Sequence, residues 1–379
     1  MKKESREFQI FAKPVGATCN LRCKYCYYLI KKNLYPESRS LLMDDQLLER
    51  YILQHIEAST DEAIGFSWHG GEPFMAGTDF FRKVVQLQNK YKPSGRTIIN
   101  GIQTNGTLID DEWCRFLASE HFLVGISIDG PGDLHNKFRQ TGGKRPTLQH
   151  VLKGYELLQK FRISSEILCV VNSVNVKYPL VVYDFFKQLE AKYITFLPLV
   201  EPLSGTPSGV SRNSVPSLEF GIFLSTIFDE WVEKDIGEVK IQIVEEAIRP
   251  AFNQEHTLCI FKETCGGVPV VEYNGDFYSC DHYVDSDHLV GNIMEGSLIS
   301  YLDCERQQAF GREKSLLLPH YCKVCDVKQM CNGECQKNRF IRTPDGEGGL
   351  NYLCSGYKYF FTHCSSFIEA VGSIWRDQI

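Results

Sequence analysis

A cysteine-rich loop reads TCNLRCKYCYY across residues 18–28 and follows Phe8–Lys13, which we predict to be the first strand. Cys19, Cys23 and Cys26 can ligate three irons of a four-iron cluster. The fourth iron then has no protein ligand and can bind a substrate group. A zinc site would need a fourth nearby ligand, and an ordinary electron-carrying cluster would need four cysteines. The spacing therefore predicts a cluster with one open iron.

Predicted strands and helices alternate from residue 8 to residue 200. Helices are predicted at Met43–Ile56, at Phe80–Tyr91 and from about Asp110 onward. Six β-α units in succession favour the α/β class, as a partial parallel (β/α)6 barrel, over a Rossmann sheet. The cysteine loop would then lie at the carboxyl end of a barrel strand, where barrel enzymes place their active sites. The six predicted strands are Phe8–Lys13, Ile64–Trp68, Thr97–Gln103, Phe122–Ile128, Ile163–Val171 and Tyr193–Leu197.

The composition of the 379 residues argues against nucleic-acid and membrane partners and includes many cysteines. A net charge of -6 argues against a nucleic acid or a membrane surface as partner. No apolar run approaches the ~18 residues of a membrane span, and no signal-peptide core precedes Lys13. We therefore expect a cytoplasmic protein, in which the 15 cysteines are reduced and available for metal ligation. Four isolated cysteines are instead expected to be buried thiols: Cys114, Cys169, Cys304 and Cys364.

The alternation ends at Glu201–Ser217, which is rich in Pro, Ser and Gly, and a helix is predicted at Leu218–Glu233. We place a domain boundary after this helix, with one domain over residues 1–236 and a second over 237–379 that ends in a helix. Asn274-Gly275 predicts a β-hairpin with strands Val268–Tyr273 and Phe277–Cys280. The core of this second domain is thin, so metal ligation would supply the missing stability.

Eight cysteines of the second domain equal the number that two fully ligated four-iron clusters require. Two four-cysteine zinc sites would need the same number. Asp281 directly follows one of these cysteines, where it could remove a proton from a substrate; the alternative is a capping carboxylate in a tight turn. The eight cysteines are Cys259, Cys265, Cys280, Cys322, Cys325, Cys331, Cys335 and Cys354.

The spacing Cys-x3-Cys-x2-Cys after the first strand, with an aromatic residue before the last cysteine, resembles the signature of the radical SAM superfamily. In that family the open iron chelates the amino and carboxylate groups of S-adenosylmethionine (SAM). Reduction of the cluster then cleaves the sulfonium and gives a 5′-deoxyadenosyl radical. Gly70-Gly71-Glu72-Pro73 resembles the family's second motif, in which glycine lets the backbone approach the SAM ammonium closely.

The resemblance also implies side-chain contacts to SAM. Ser127 and Arg139 match contact positions, with Arg139 as the charge partner of the SAM carboxylate. Tyr25 and Val200 match positions that frame the adenine. The alternative for Ser127 and Val200 is strand packing, and for Arg139 it is a surface ion pair.

The spacing of the later cysteines resembles the SPASM domain of radical SAM enzymes that modify peptides and proteins. This resemblance implies three [4Fe-4S] clusters in all, and full ligation of two of them implies electron transfer. One auxiliary cluster would be held by Cys259, Cys265, Cys280 and Cys335, and the other by Cys322, Cys325, Cys331 and Cys354.

The chain most resembles the anaerobic sulfatase-maturating enzymes, and the resemblance runs through nearly all of it. These enzymes convert a Cys or Ser of an unfolded sulfatase segment, Cys/Ser-x-Pro-x-Arg, into Cα-formylglycine. The resemblance implies that the radical takes a Cβ hydrogen, that Asp281 accepts the thiol or hydroxyl proton, and that an auxiliary cluster takes the electron. It also implies an electron donor such as flavodoxin or ferredoxin. The matching stretches are residues 19–28, 68–73, 103–108, 122–131 and 280–281.

The sequence leaves open the role of His69, the identity of the target residue and two alternative functions. Some relatives carry Gln where this chain has His69, so the role of His69 in holding the peptide is open, as is the choice of Cys or Ser as target. Another SPASM maturase, which crosslinks small peptides, is an alternative, although such enzymes often carry a further domain before the barrel. A non-catalytic electron carrier or zinc scaffold is the alternative from another class, but a carrier gains nothing from an open iron.

Overall fold

The structure is a computed structural model that describes residues 8–35, 41–203, 205 and 209–376. Part of the predicted linker Glu201–Ser217 therefore lies outside the described residues. The described chain divides into two compact units, and the domain boundary between residues 236 and 237 stays a prediction. The first unit comprises described residues of Met1–Ser127, Asn136–Ser165 and Gly266–Gly311, and the second those of Ile128–His135, Glu166–Cys265 and Arg312–Ile379.

Four parallel strands in the order β1-β2-β3-β4 form the centre of the first unit, as their apolar sequences predict. The first strand begins three residues later than predicted. The strands are β1 (Phe11–Lys13), β2 (Ala63–Trp68), β3 (Thr97–Thr104) and β4 (Leu123–Ser127). The helices of this unit are α1 (Asp45–Ala58), α2 (Thr78–Tyr91), α3 (Asp111–Ser119) and α5 (Leu148–Lys160). The short helix α4 (Gly132–Asn136) belongs to the second unit except for its last residue.

Acidic caps fix where two of these helices begin. The Asp44 carboxylate accepts a hydrogen bond from the Leu47 amide (2.8 Å), and the Asp110 carboxylate accepts one from the Trp113 amide (2.9 Å). Each cap satisfies an amide that has no partner within its own helix. The predicted start of α3 near Asp110 is therefore confirmed.

The second unit also contains a parallel sheet, whose order is β5-β6-β7. Its strands are β5 (Ser165–Val171, whose first residue belongs to the first unit), β6 (Tyr193–Pro198) and β7 (Lys240–Ile241). The long helix α7 (Ser217–Lys234) matches the predicted helix Leu218–Glu233. Two further helices are α6 (Pro179–Gln188) and α8 (Gln242–Ile248).

The predicted hairpin is present, and it extends the sheet of the first unit. β8 (Val270–Glu272) and β9 (Asp276–Tyr278) are antiparallel, and Gly275 supplies the positive φ of the turn, 91°. β8 also pairs in parallel with β1, which places Lys13 opposite Glu272. β10 (Leu289–Asn292) pairs with β9. The register therefore sets two opposite charges side by side within the sheet.

Short elements and one long helix complete the described chain. Within the described residues, no helix combines the length and apolarity that crossing a bilayer requires. The elements are α9 (Leu298–Asp303), α10 (Glu305–Leu316), α11 (His320–Lys323), α12 (Lys328–Cys331), β11 (Ile341–Arg342), β12 (Gly348–Leu350) and the predicted C-terminal helix α13 (Cys354–Arg376).

The loop after β2 holds the loop after β1 through its backbone. The Gly71 amide donates to the Gly16 carbonyl, and the Glu72 amide donates to the Thr18 carbonyl, both at 2.8 Å. A Cβ atom on Gly71 would lie only 2.0 Å from the Thr18 carbonyl oxygen. Glycine is therefore required at residue 71 because the cysteine loop passes against it.

We expect Gly71→Ala to lower the free energy of unfolding by about 1–3 kcal/mol, because the new methyl group must displace the backbone at Thr18. The matched control is Gly65→Ala on β2, where an added Cβ meets nothing within 4 Å. Anaerobic urea titrations of both variants measure the difference. Equal stability of Gly71→Ala and Gly65→Ala would contradict the close approach.

Candidate active site

The three cysteines of the first loop are brought together in the first unit. The Cys19 sulfur accepts hydrogen bonds from the Leu21 amide at 3.4 Å and from Asn105 Nδ2 at 3.7 Å. Burial raises the pKa of the Cys19 thiol to about 12, and the nearby charges of Glu72, Cys23 and Cys26 add to the rise. Three thiols that lie close enough to interact electrostatically fit the predicted ligands of one cluster.

Glu72 connects two of the motifs that surround this loop. It is fully buried and accepts hydrogen bonds from Thr104 Oγ1 (2.8 Å), the Asn105 amide (2.7 Å) and the Phe74 amide (3.1 Å). Burial raises its pKa to about 7, although these hydrogen bonds oppose the rise. Of this motif only Gly71 was predicted as a site residue, and Glu72 was not, although a carboxylate between a glycine and a proline was a visible signal.

The stretch 103–108 holds the cysteine loop directly. Asn105 Nδ2 donates to Asn20 Oδ1 (2.9 Å), and Asn20 Nδ2 donates to Thr107 Oγ1 (2.8 Å). On another side of the loop, the Lys24 amide donates to the Phe138 carbonyl at 2.9 Å. The polar residues of this stretch therefore fix the conformation of the loop.

The residues predicted to contact SAM belong to both units of the chain. The Arg139 guanidinium is buried and lies 5.5 Å from the centroid of the Tyr25 ring, which favours a built site over a surface ion pair. Ser127 ends β4 and accepts a hydrogen bond from Gln103 Nε2 at 3.2 Å. Val200 is buried in the second unit, just after β6. The contacts of these residues and of Gly71 with SAM stay predictions.

Asp281 is held as an ionised carboxylate. Lys13 Nζ lies 2.5 Å from Asp281 Oδ1, and the Tyr27 hydroxyl donates to Asp281 Oδ2. Burial alone would raise the pKa of Asp281, but Lys13, with help from His282 and Tyr27, outweighs it and holds the pKa well below its usual range. Both oxygens thus contact side chains of other segments, which favours a positioned proton acceptor over a turn cap.

Lys13 also interacts electrostatically with a second buried carboxyl group, that of Glu272. Its ammonium lies 4.5 Å from the centroid of the Tyr28 ring, and the Tyr28 hydroxyl donates to Glu272 Oε1. Burial raises the pKa of Glu272 to about 7, while Tyr28 and Lys13 oppose the rise. Lys13 and Glu272 were not predicted as site residues from the sequence. The available signal was a charged residue at the end of each of two apolar strands.

His69 lies beside this group of charges. Its ring stacks on Phe11 with 3.9 Å between centroids and 11° between planes. Burial and the Lys13 ammonium lower the pKa of His69 to about 3. The imidazole is therefore neutral at pH 7, and it could hydrogen-bond a peptide without adding charge.

The cysteines of the second unit also converge. A small pocket there is lined by all four residues of one predicted auxiliary set: Cys322, Cys325, Cys331 and Cys354. Burial raises the pKa of Cys331 to about 12, and Cys354 and Cys322 contribute. Cys259, Cys265 and Cys335 interact electrostatically with one ammonium, that of Lys314.

The four cysteines that were not predicted as cluster ligands differ in burial. Cys114, Cys169 and Cys364 are buried, as predicted, whereas Cys304 is only half-buried and does not fit that prediction. Among the described residues, no three His, Cys, Asp or Glu side chains are arranged to hold a single metal ion.

Comparisons with known proteins identify both parts of the chain. The Radical SAM superfamily model matches residues 14–185, and the model of the SPASM iron-sulfur cluster-binding domain matches residues 265–326. The chain is 43% identical over 378 residues to the serine-type anaerobic sulfatase-maturating enzyme of Bacteroides thetaiotaomicron, covering 96% of this chain and 91% of that protein. It is 32% identical to the cysteine-type enzyme of Clostridium perfringens, covering 93% of this chain and 95% of that protein.

A solved structure supports the same assignment. Native anSMEcpe with bound AdoMet and Kp18Cys peptide superposes with a TM-score of 0.87 at 31% identity, covering 96% of this chain and 99% of that one. Streptococcus suis SuiB, at 15% identity and a TM-score of 0.62 over 92% of this chain and 75% of that one, shares the fold. The predicted α/β radical SAM fold with a C-terminal SPASM domain is confirmed. This chain belongs to the anaerobic sulfatase-maturating enzymes of the radical SAM superfamily.

Proposed function

We propose that this enzyme oxidises a Cys or Ser side chain in a Cys/Ser-x-Pro-x-Arg segment of an unfolded sulfatase to Cα-formylglycine. The observation that carries the proposal is Asp281, a buried carboxylate kept ionised by Lys13 directly after the predicted cluster ligand Cys280. The names of the relatives, serine-type and cysteine-type sulfatase-maturating enzymes, support it. An electron carrier has no use for such a residue, and the peptide assay described below separates a peptide-crosslinking maturase from the proposed activity.

The cofactors follow from the cysteine sets. We assign three [4Fe-4S] clusters, one to the first loop and two to the eight later cysteines, with SAM held by Tyr25, Gly71, Ser127, Arg139 and Val200. When bound, these groups supply a 5′-deoxyadenosyl radical that removes a Cβ hydrogen and accept the electron that remains. We expect flavodoxin or ferredoxin as electron donor and the cytoplasm, where thiols stay reduced, as the site of action.

Asp281 would accept the proton of the target thiol or hydroxyl. Loss of one hydrogen atom from Cβ, one proton and one electron is a two-electron oxidation. It yields the aldehyde directly from Ser, and from Cys a thioaldehyde that water hydrolyses to the aldehyde with release of hydrogen sulfide. Lys13 and Tyr27 each contact one oxygen of the carboxylate, so they fix its orientation and its charge. The higher identity to the serine-type relative makes Ser the first target to test.

The function is tested by incubating the anaerobically reconstituted enzyme with SAM, a reductant and matched peptides that contain Ser-x-Pro-x-Arg or Cys-x-Pro-x-Arg. We expect a mass change that corresponds to formation of the aldehyde, with release of 5′-deoxyadenosine. An Ala-x-Pro-x-Arg peptide is the control. Deoxyadenosine without any change in the Ser or Cys peptide would favour another maturase.

The cluster assignment predicts roughly twelve irons per chain after anaerobic reconstitution, because three clusters hold four irons each. Replacing Cys322, Cys325, Cys331 and Cys354 together by Ala should lower this to roughly eight, since only one set loses its ligands. Iron and zinc analysis measures both. A content near four, accompanied by zinc, would reject the auxiliary clusters.

We expect Asp281→Asn to keep its iron and to form formylglycine about 10²-fold more slowly or less, because Asn cannot accept the proton. The matched control is Asp287→Asn, which changes an exposed carboxylate six residues away. Turnover of both variants is measured with the peptide that the wild-type enzyme oxidises. A fully active Asp281→Asn would exclude Asp281 as the proton acceptor.

A further inference from the structure

Two cations lie among the cysteines of the second unit. Lys314 is fully buried, and its ammonium donates to the carbonyls of Cys259 (2.9 Å) and Ile260 (2.8 Å). The half-buried Arg339 guanidinium donates to the carbonyls of Gly333, Asn332, Glu334 and Lys314, at distances of 2.5 to 3.1 Å. These acceptors are neutral backbone groups, so the contacts do not neutralise the two positive charges.

The two cations face both predicted cysteine sets. Lys314 interacts electrostatically with Cys265, Cys259 and Cys335, which belong to one set. Arg339 interacts with Cys265 and also with Cys322 and Cys331 of the other set. The proposed function has no use for either cation in binding or oxidising the substrate.

Burying a positive charge costs free energy, so the positions of Lys314 and Arg339 indicate that negative charge lies nearby. An ammonium removed from water is strongly destabilised unless a negative charge compensates it. Glu334 is the carboxyl group nearby, but burial raises its pKa and it already accepts hydrogen bonds from Asn338 and Asn351. The cysteine sulfurs that interact with the two cations, together with the clusters that we assign to them, would supply the compensating negative charge.

We infer that Lys314 and Arg339 raise the reduction potential of the auxiliary clusters and so make them better acceptors of the electron released by the substrate. This inference rests on the proposed assignment of the eight cysteines. Reduction adds one negative charge to a cluster, and a desolvated cation nearby stabilises that added charge. Charge, hydrogen bonds and burial around the sulfurs are the known determinants of cluster potential.

The test uses the full chain with Cys19, Cys23 and Cys26 replaced by Ala, so that only auxiliary clusters are titrated. Lys314→Gln removes the charge but keeps an N–H donor, and Lys314→Arg keeps the charge. Lys323→Gln is the matched control, because Lys323 adjoins Cys322 but is exposed, where solvent screens its charge. Reduction is followed by electron paramagnetic resonance as a function of applied potential.

We expect Lys314→Gln to disfavour reduction of at least one auxiliary cluster by tenfold or more, a fall of about 59 mV for a one-electron couple. Lys314→Arg and Lys323→Gln should stay within about threefold of the parent. An unchanged potential in an iron-loaded Lys314→Gln overturns the inference and leaves the proposed function intact. A parent without auxiliary iron would instead reject the cluster assignment itself.

If Lys314→Gln loses its auxiliary iron, its potential cannot be measured and other variants are used. Arg339→Gln then serves as the second neutral variant, and its potential is judged by the same criterion. If both neutral variants lose iron, Lys314→Arg decides. An iron-loaded Lys314→Arg supports a requirement for positive charge, and an iron-free one overturns the inference in favour of a purely structural hydrogen bond.

Discussion

The candidate active site depends on the ion pair between the buried ammonium of Lys13 and Asp281. A charge of this kind is tolerated away from water only when it is well compensated, and the parallel register of β1 with β8 supplies Glu272 opposite Lys13. Asp281 provides the second compensating charge. Lys13 outweighs the burial of Asp281 and keeps it ionised, whereas burial raises the pKa of Glu272 to about 7 although Lys13 opposes the rise.

The same strand connects this charge group to the cysteine loop. Lys13 ends β1, and Cys19 follows six residues later. Tyr27 and Tyr28, which follow Cys26, return to contact Asp281 and Glu272. The loop is thus anchored by its two tyrosines at one end and by Gly71 and Glu72 along its length. Any shift of the loop would therefore also move the groups that orient Asp281.

The sequence predicted those features whose signal is local. Cysteine spacing, apolar strands and the Asn274-Gly275 turn are each readable within a few residues, and the fold confirms the strands and the hairpin. Lys13 and Glu272 could not be paired in this way, because 259 residues separate them and only the sheet register brings them together. Gly71 shows a related limit: a motif indicates that glycine is needed, but only packing reveals that Thr18 is the neighbour.

The low pKa of Asp281 bears on when a proton can move in the proposed reaction. Such a carboxylate is a weak base, so it cannot deprotonate a resting alcohol or thiol to any useful extent. Removal of the Cβ hydrogen and then of an electron changes this, because the remaining product is a protonated aldehyde or thioaldehyde, a far stronger acid than a carboxylic acid. In the proposed reaction, proton transfer to Asp281 would therefore become favourable only as the electron leaves. The charges around Lys13 would accordingly control transfer of the proton to Asp281, and those around Lys314 would control transfer of the electron to an auxiliary cluster.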